Sequence, residues 1–166
     1  MHLQMKQILH HSNNLLIVLS VGLLFSLQSC GEKSVYNQYN KIATVGWDFG
    51  TPVRFETEIN DTLSAYDITI QVRNNTDYAY QNFWIFVEST SPSGIVAKDT
   101  LEFLLADNTG KWLGKGISST KEISGLYLEN IKFPELGTYS FSLYQGMRSA
   151  SLKGIESVGL RIVKRQ

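Results

Sequence analysis

The sequence predicts an all-β protein: a single β-sandwich, jelly-roll or immunoglobulin-like, behind a cleaved lipoprotein signal and a short tether. Three observations carry that expectation. From Pro52 onward apolar and polar residues alternate with period two. Clusters of Asn, Asp, Ser, Pro and Gly interrupt the alternation at spacings suited to short strands. No helical pattern competes, since the weak candidate from Ser118 to Ser124 is short and flanked by glycine. Eight or so strands without an internal repeat fit a sandwich, and strand count leaves the choice between the two topologies open.

Taken in chain order, the first element is a signal. Leu27-Gln28-Ser29-Cys30 reads as a lipobox, with an aliphatic residue three before the cysteine and a small one just before it. Upstream, Met1 to Asn14 is polar with only Lys6 charged, and Leu15 to Leu27 is an apolar run of 13 residues. A membrane-spanning helix needs about 20 such residues. The run therefore suits a cleaved signal better than a helix with an incidental cysteine. Residues 1 to 29 are then discarded and Cys30 receives the lipid. Acyl chains contribute about 0.8 kcal/mol per buried CH₂, so two or three on one residue anchor a chain for good.

Residues 30 to 46 are polar, with two tyrosines and no clear period, and read as a tether. Treated as a flexible chain, Cys30 to Thr44 would span about 20 Å. Gly31-Glu32-Lys33 lacks the acidic run that resembles a surface-export tag in Bacteroidetes-type bacteria, which favours the periplasmic face of the outer membrane.

The sandwich is expected over 47 to 166. Val53, Phe55, Thr57 and Ile59 form the apolar face of a first strand, and Tyr66, Ile68, Ile70 and Val72 that of a second. Arg73-Asn74-Asn75-Thr76-Asp77 is a turn whose side chains bond their own backbone. In the third strand, Asn82 to Glu88, Phe83, Ile85 and Val87 share one face while Trp84 and Phe86 share the other. Such a strand is either covered on both sides or presents its outer face to another molecule. Asp99 to Ala106, Lys121 to Ile123, Tyr127 to Phe133, Tyr139 to Tyr144 and Ile155 to Val163 complete the set, with turns at Ser91-Pro92-Ser93-Gly94, Asp107-Asn108-Thr109-Gly110 and Pro134-Glu135-Leu136-Gly137.

Composition narrows the chemistry. His2, His10 and His11 are the only histidines and all precede Cys30. The mature chain of 137 residues (166 minus 29) thus lacks the commonest general base and metal ligand. Cys30 is the only cysteine, and once lipidated it is neither a nucleophile nor a disulfide partner. With Lys6 lost, 14 Lys+Arg stand against 15 Asp+Glu, a side-chain sum of −1 that implies no nucleic-acid partner.

Several blocks resemble the gliding motility lipoprotein GldH family of Bacteroidetes-type bacteria. They are Arg73-Asn74-Asn75 with Tyr78, Tyr80, Asn82 and Trp84; Asp99-Thr100-Leu101-Glu102; Leu105-Ala106-Asp107 with Gly110 to Gly116; and Gly137 to Arg148. The resemblance runs from about Trp47 to Ile162. It implies a lipoprotein needed for movement over surfaces, in the company of other gliding and type IX secretion proteins. It implies no catalytic residues and no cofactor.

Asp99, Glu102 and Asp107 could suggest a glycosidase pair or a Ca²⁺ site. Asp99 and Glu102 are three apart and point to opposite faces of a strand, and Asp107 to Gly110 lacks calcium-loop spacing. No catalytic or metal residue is assigned. Gly114-Lys115-Gly116 lacks the spacing and following helix of a phosphate loop. Trp47, Trp84, Trp112, Tyr78 and Tyr80 could stack sugars, as in a carbohydrate-binding module, or could be core; Tyr78 and Tyr80, beside a polar turn, are the better candidates for exposure. Arg148 either anchors a partner or pairs with Asp99 or Glu102. The contact candidates are therefore Tyr78, Tyr80, Trp84, Trp112 and Arg148, with Cys30 as the lipidation site.

Overall fold

The computed structural model describes residues 34 to 165. Cys30, the signal and the three histidines lie outside the described residues. Ten strands run in chain order: β1 (Ser34–Lys41), β2 (Trp47–Asp48), β3 (Val53–Ile59), β4 (Tyr66–Asn74), β5 (Asn82–Thr90), β6 (Val96–Leu104), β7 (Lys121–Ile131), β8 (Gly137–Gln145), β9 (Ser151–Leu152) and β10 (Ile155–Lys164).

One four-stranded sheet has the order β1-β10-β4-β7 and the other β3-β8-β5-β6, with β2 and β9 forming a small pair of their own. All pairings are antiparallel. Without the two-residue strands β2 and β9, the long strands run first-eighth-third-sixth in one sheet and second-seventh-fourth-fifth in the other. That order is the double Greek key of a jelly roll, which resolves the choice the sequence left open.

Alternation builds the core. Ile68, Ile70 and Val72 of β4 and Val158, Leu160 and Ile162 of β10 face Phe83, Ile85 and Val87 of β5 and Phe141 and Leu143 of β8, all buried. Residues between them in sequence point outward, as period two requires. At one end of the sandwich, Tyr66, Phe133 and Tyr139 stack edge to face or tilted, with centroids 5.2 and 4.7 Å apart.

Two readings of the sequence are corrected. Residues 30 to 46 do not all form a tether, because Ser34–Lys41 is an edge strand paired with β10 from Ser34↔Val163 to Lys41↔Ser157. An edge strand is held by backbone hydrogen bonds and needs little apolar alternation; only Tyr36 of this strand packs against the core. Lys121 to Ile123 and Tyr127 to Phe133 are not separate strands either. They fall on the single strand β7, which ends at Ile131, two residues short of Phe133, and whose register shifts between Leu126 and Leu128 and again before Ile131.

The connection from β3 to β4 is fastened to the end of β10. Asp61 accepts hydrogen bonds from Leu63 N at 2.8 Å, Ser64 Oγ at 2.7 Å and Lys164 Nζ at 2.6 Å. Lys164 first, then Ser64, hold its carboxyl well below the usual carboxylate range. A depressed pKa contributes stability that is present at neutral pH and lost as pH falls toward the folded-state value. Asp61→Asn is therefore expected to lower the urea midpoint at pH 7, with the gap from the parent narrowing below about pH 4. Urea melts across that range check it.

Candidate functional site

The β5 strand has both faces apolar, and the structure separates their roles. Phe83, Ile85 and Val87 are in the core, whereas Trp84 is 37% and Phe86 42% exposed on the outer face of the β3-β8-β5-β6 sheet. Strand register surrounds them. Phe86 lies between Thr100 of β6 and Tyr144 of β8, and Trp84 lies opposite Glu102. One pair further along, Glu88 and Lys98 form an ion pair at 2.9 Å. Phe49, exposed in the connection from β2 to β3, closes one side of a cleft of about 390 Å³ that Phe86, Tyr144 and Lys98 also line.

The backbone beside these rings is closely packed. A Cβ on Gly146 would stand 3.1 Å from Trp84 Cβ and 3.2 Å from the Phe86 ring. Gly146 N donates to Trp84 O at 2.8 Å, and Trp84 N donates to Met147 Sδ at 3.4 Å. The segment Gly146-Met147-Arg148 is thereby fixed beside Trp84. Arg148 is exposed there, and among the described residues it makes no ion pair. Among the described residues Arg148 makes no pair with Asp99 or Glu102; Asp99 accepts from Tyr127 Oη at 2.6 Å and Glu102 from Asn82 Nδ2 at 2.7 Å.

The remaining candidates separate. Tyr78 is only 3% exposed, contrary to the expectation from its polar neighbours. Its hydroxyl donates to Asn82 O at 2.7 Å, so the turn folds the ring inward without leaving a polar group unpaired. Burial pushes its phenol pKa above the ordinary value. Tyr80 remains exposed, its ring 5.7 Å from that of Tyr78. Trp47 is buried, 6.0 Å from Phe83. Trp112 is half-buried against the core and bridges to Ala106 around a turn in which Asp107 Oδ1 accepts from Thr109 N, Thr109 Oγ1 and Lys111 N. Asp107 is thus occupied in holding its own turn.

Phe49 and Tyr144 were not among the candidates from sequence. Tyr144 reads as outward from alternation alone, but its place beside Phe86 follows from the β5–β8 pairing, which joins strands far apart in the chain. Phe49 carries no signal beyond being one aromatic before a turn. A wider cleft, of about 640 Å³, lies beside Arg73 on the other sheet. The Arg73 guanidinium is committed there to Glu122 at 2.6 Å and to the Tyr39 ring at 3.9 Å. Among the described residues, no group of three or more acidic or sulfur or imidazole side chains could hold a metal ion. The Trp84–Phe86 face offers stacking area with one ion pair at its border, an arrangement suited to contact.

Residues 34–162 match the GldH lipoprotein family. The chain belongs to that family. It is 40% identical over 149 residues to the gliding motility lipoprotein GldH homolog of Christiangramia forsetii, covering 86% of this chain and 90% of the relative. It is 31% identical over 157 residues to the gliding motility lipoprotein GldH of Flavobacterium johnsoniae, covering 90% and 95%. Among solved structures, an arabinose-bound GH51 α-L-arabinofuranosidase overlaps 81% of this GldH-family chain and 23% of its own, at 12% identity and a TM-score of 0.37. A likeness that distant bears on neither activity nor ligand. Lipoprotein membership makes the chain membrane-anchored.

Proposed function

We propose that the protein is a non-enzymatic lipoprotein of the gliding apparatus, held by lipid on Cys30 at the periplasmic face of the outer membrane. In this reading it acts as a structural or stabilising component of the gliding and type IX secretion machinery, through contacts with its other proteins. Family membership over nearly the whole mature chain carries the proposal. The exposed Trp84–Phe86 row, with Arg148 beside it, supplies a surface on which such a contact can form.

Crosslinking in living cells, followed by affinity capture of the tagged lipoprotein, tests this directly. Gliding or secretion proteins should be recovered, and recovery of none from cells rich in the lipoprotein counts against it. Aromatic anchors at interface centres contribute 2 kcal/mol or more. Trp84→Ala with Phe86→Ala is therefore expected to weaken the captured complex by about thirtyfold or more, while cooperative unfolding of the domain is retained.

A second reading, a glycan-binding module, is favoured by one observation: Phe49, Phe86 and Tyr144 border an open cleft in a jelly roll. Titration with polysaccharides, followed by tryptophan fluorescence, separates the two. Saturable binding lost on Trp84→Ala would promote the glycan reading.

A further inference from the structure

Pairing of Ser34–Lys41 with β10 shortens the leash. With β1 starting at Ser34, four residue steps separate the domain from Cys30. Fully extended, they reach about 14 Å at most. A lipid on Cys30 would therefore hold one particular end of the sandwich close to the bilayer.

The strand pairings identify what else occupies that end. Ser34 pairs with Val163, Lys164 with Tyr66, and Tyr66 with Ile131. In the other sheet, Ile59 pairs with Gly137, and Thr90 with both Val96 and Ser140. The connections at the anchored end are thus 60 to 65, 91 to 95 and 132 to 136. Hydrogen bonds draw two of them together, with Ser93 N and Ser93 Oγ donating to Glu135 at 3.0 and 2.7 Å. The third is held to β10 through the Asp61–Lys164 pair at 2.6 Å.

Each connection carries an apolar residue turned to solvent: Leu63 is 85%, Ile95 68% and Leu136 62% exposed. Charges of both signs mix at this end: Asp61 pairs with Lys164, Asp67 and Glu129 share Arg165, Glu135 accepts from Ser93, and Lys132 is exposed in the same connection. That leaves little net repulsion from a headgroup layer and three apolar side chains without protein cover. We propose that this end rests on the bilayer that receives the lipid, with Leu63, Ile95 and Leu136 entering its interfacial layer. Chain length selects the bilayer as the occupant, since no other partner is bound to lie within that reach.

The opposite end points away. The nine residues of β4 separate the two ends by about 26 Å. Tyr80, Trp112 and Arg148 all lie in connections at the far end, and Trp84 is near the far end of β5. The same orientation that seats the three loops on lipid leaves the candidate contact residues open to the compartment.

The inference rests on acylation of Cys30, so the test measures both. Full-length lipoprotein is matured in its host and carries one introduced cysteine at Leu63, Ile95, Leu136 or, at the far end, Ile117. It is labelled with bimane, Cys30 being blocked by its thioether, and reconstituted into phosphatidylethanolamine–phosphatidylglycerol vesicles containing nitroxide-labelled lipid. Labels at 63, 95 and 136 should lose fluorescence to the lipid-borne quencher, and the label at 117 should not. Acylated protein whose three loop labels are quenched no more than the one at 117 overturns the orientation and leaves the anchor standing. A mature mass without acyl chains on Cys30 overturns both.

Discussion

Cys30→Ala is expected to abolish membrane attachment and surface spreading while leaving the β domain folded. The domain described here begins at Ser34, and none of its core residues lies before Trp47. Removing the thiol therefore removes none of those buried core residues. It deletes the only atom in the mature chain that can accept a thioether-linked lipid. A myristoyl-length chain alone gives reversible binding, whereas two or three chains hold a protein indefinitely. The expected change is correspondingly all or none: the variant moves from the membrane to the soluble fraction. Its circular dichroism and urea midpoint should match those of the parent. Spreading of colonies on agar should stop. Full spreading with the variant in the soluble fraction would falsify the view that this lipoprotein acts from the membrane.

The sequence expresses those parts of the fold that depend on burial and conceals those that depend on pairing. Val53–Ile59 and Tyr66–Asn74 alternate because one face of each packs into the core, and both were legible from side chains alone. Ser34–Lys41 was not, because an edge strand is defined by bonds to β10 more than a hundred residues away, and those bonds leave no pattern in its side chains. Gly125 acts in the opposite sense. It breaks the alternation in β7, yet it interrupts no strand: a Cβ there would stand 2.6 Å from the Phe103 ring, so the glycine makes room for an aromatic from the facing sheet.

The candidate site shows the same division. The two-sided apolar pattern of Asn82 to Glu88 pointed to an exposed face or a doubly covered strand, and only solvent exposure could choose between them. Tyr78 lay beside the polar residues of a turn, which is ordinarily a surface setting. Its burial depends on one backbone carbonyl, that of Asn82, being placed to receive its hydroxyl. That is a three-dimensional fact with no counterpart in composition. Arg148, by contrast, was legible as a loop residue because it follows the clearest alternation in the chain.

Phe83→Ala is expected to cost about 3–5 kcal/mol of folding stability, the range for removing a buried aromatic ring. Phe83 is fully buried, pairs with Phe103 across β5 and β6, and meets the rings of Trp47 and Tyr78 at 6.0 Å each. Those neighbours belong to three different segments, so collapse into the space would have to move several strands at once. The cavity therefore stays largely open, which places the cost in the upper part of the range. Domains of this size have about 5–15 kcal/mol in total, so the variant should melt about 10–20 °C lower. Phe86→Ala, three residues on and the same chemical change, removes a ring that is 42% exposed and should cost about 1–2 kcal/mol. The two variants together test the division of β5 into a core face and a contact face. Equal melting temperatures for Phe83→Ala and Phe86→Ala would place both rings in the core and remove the outer face as a docking surface. A wide gap in stability, with capture of partners lost in Phe86→Ala alone, assigns folding to one face of the strand and recognition to the other.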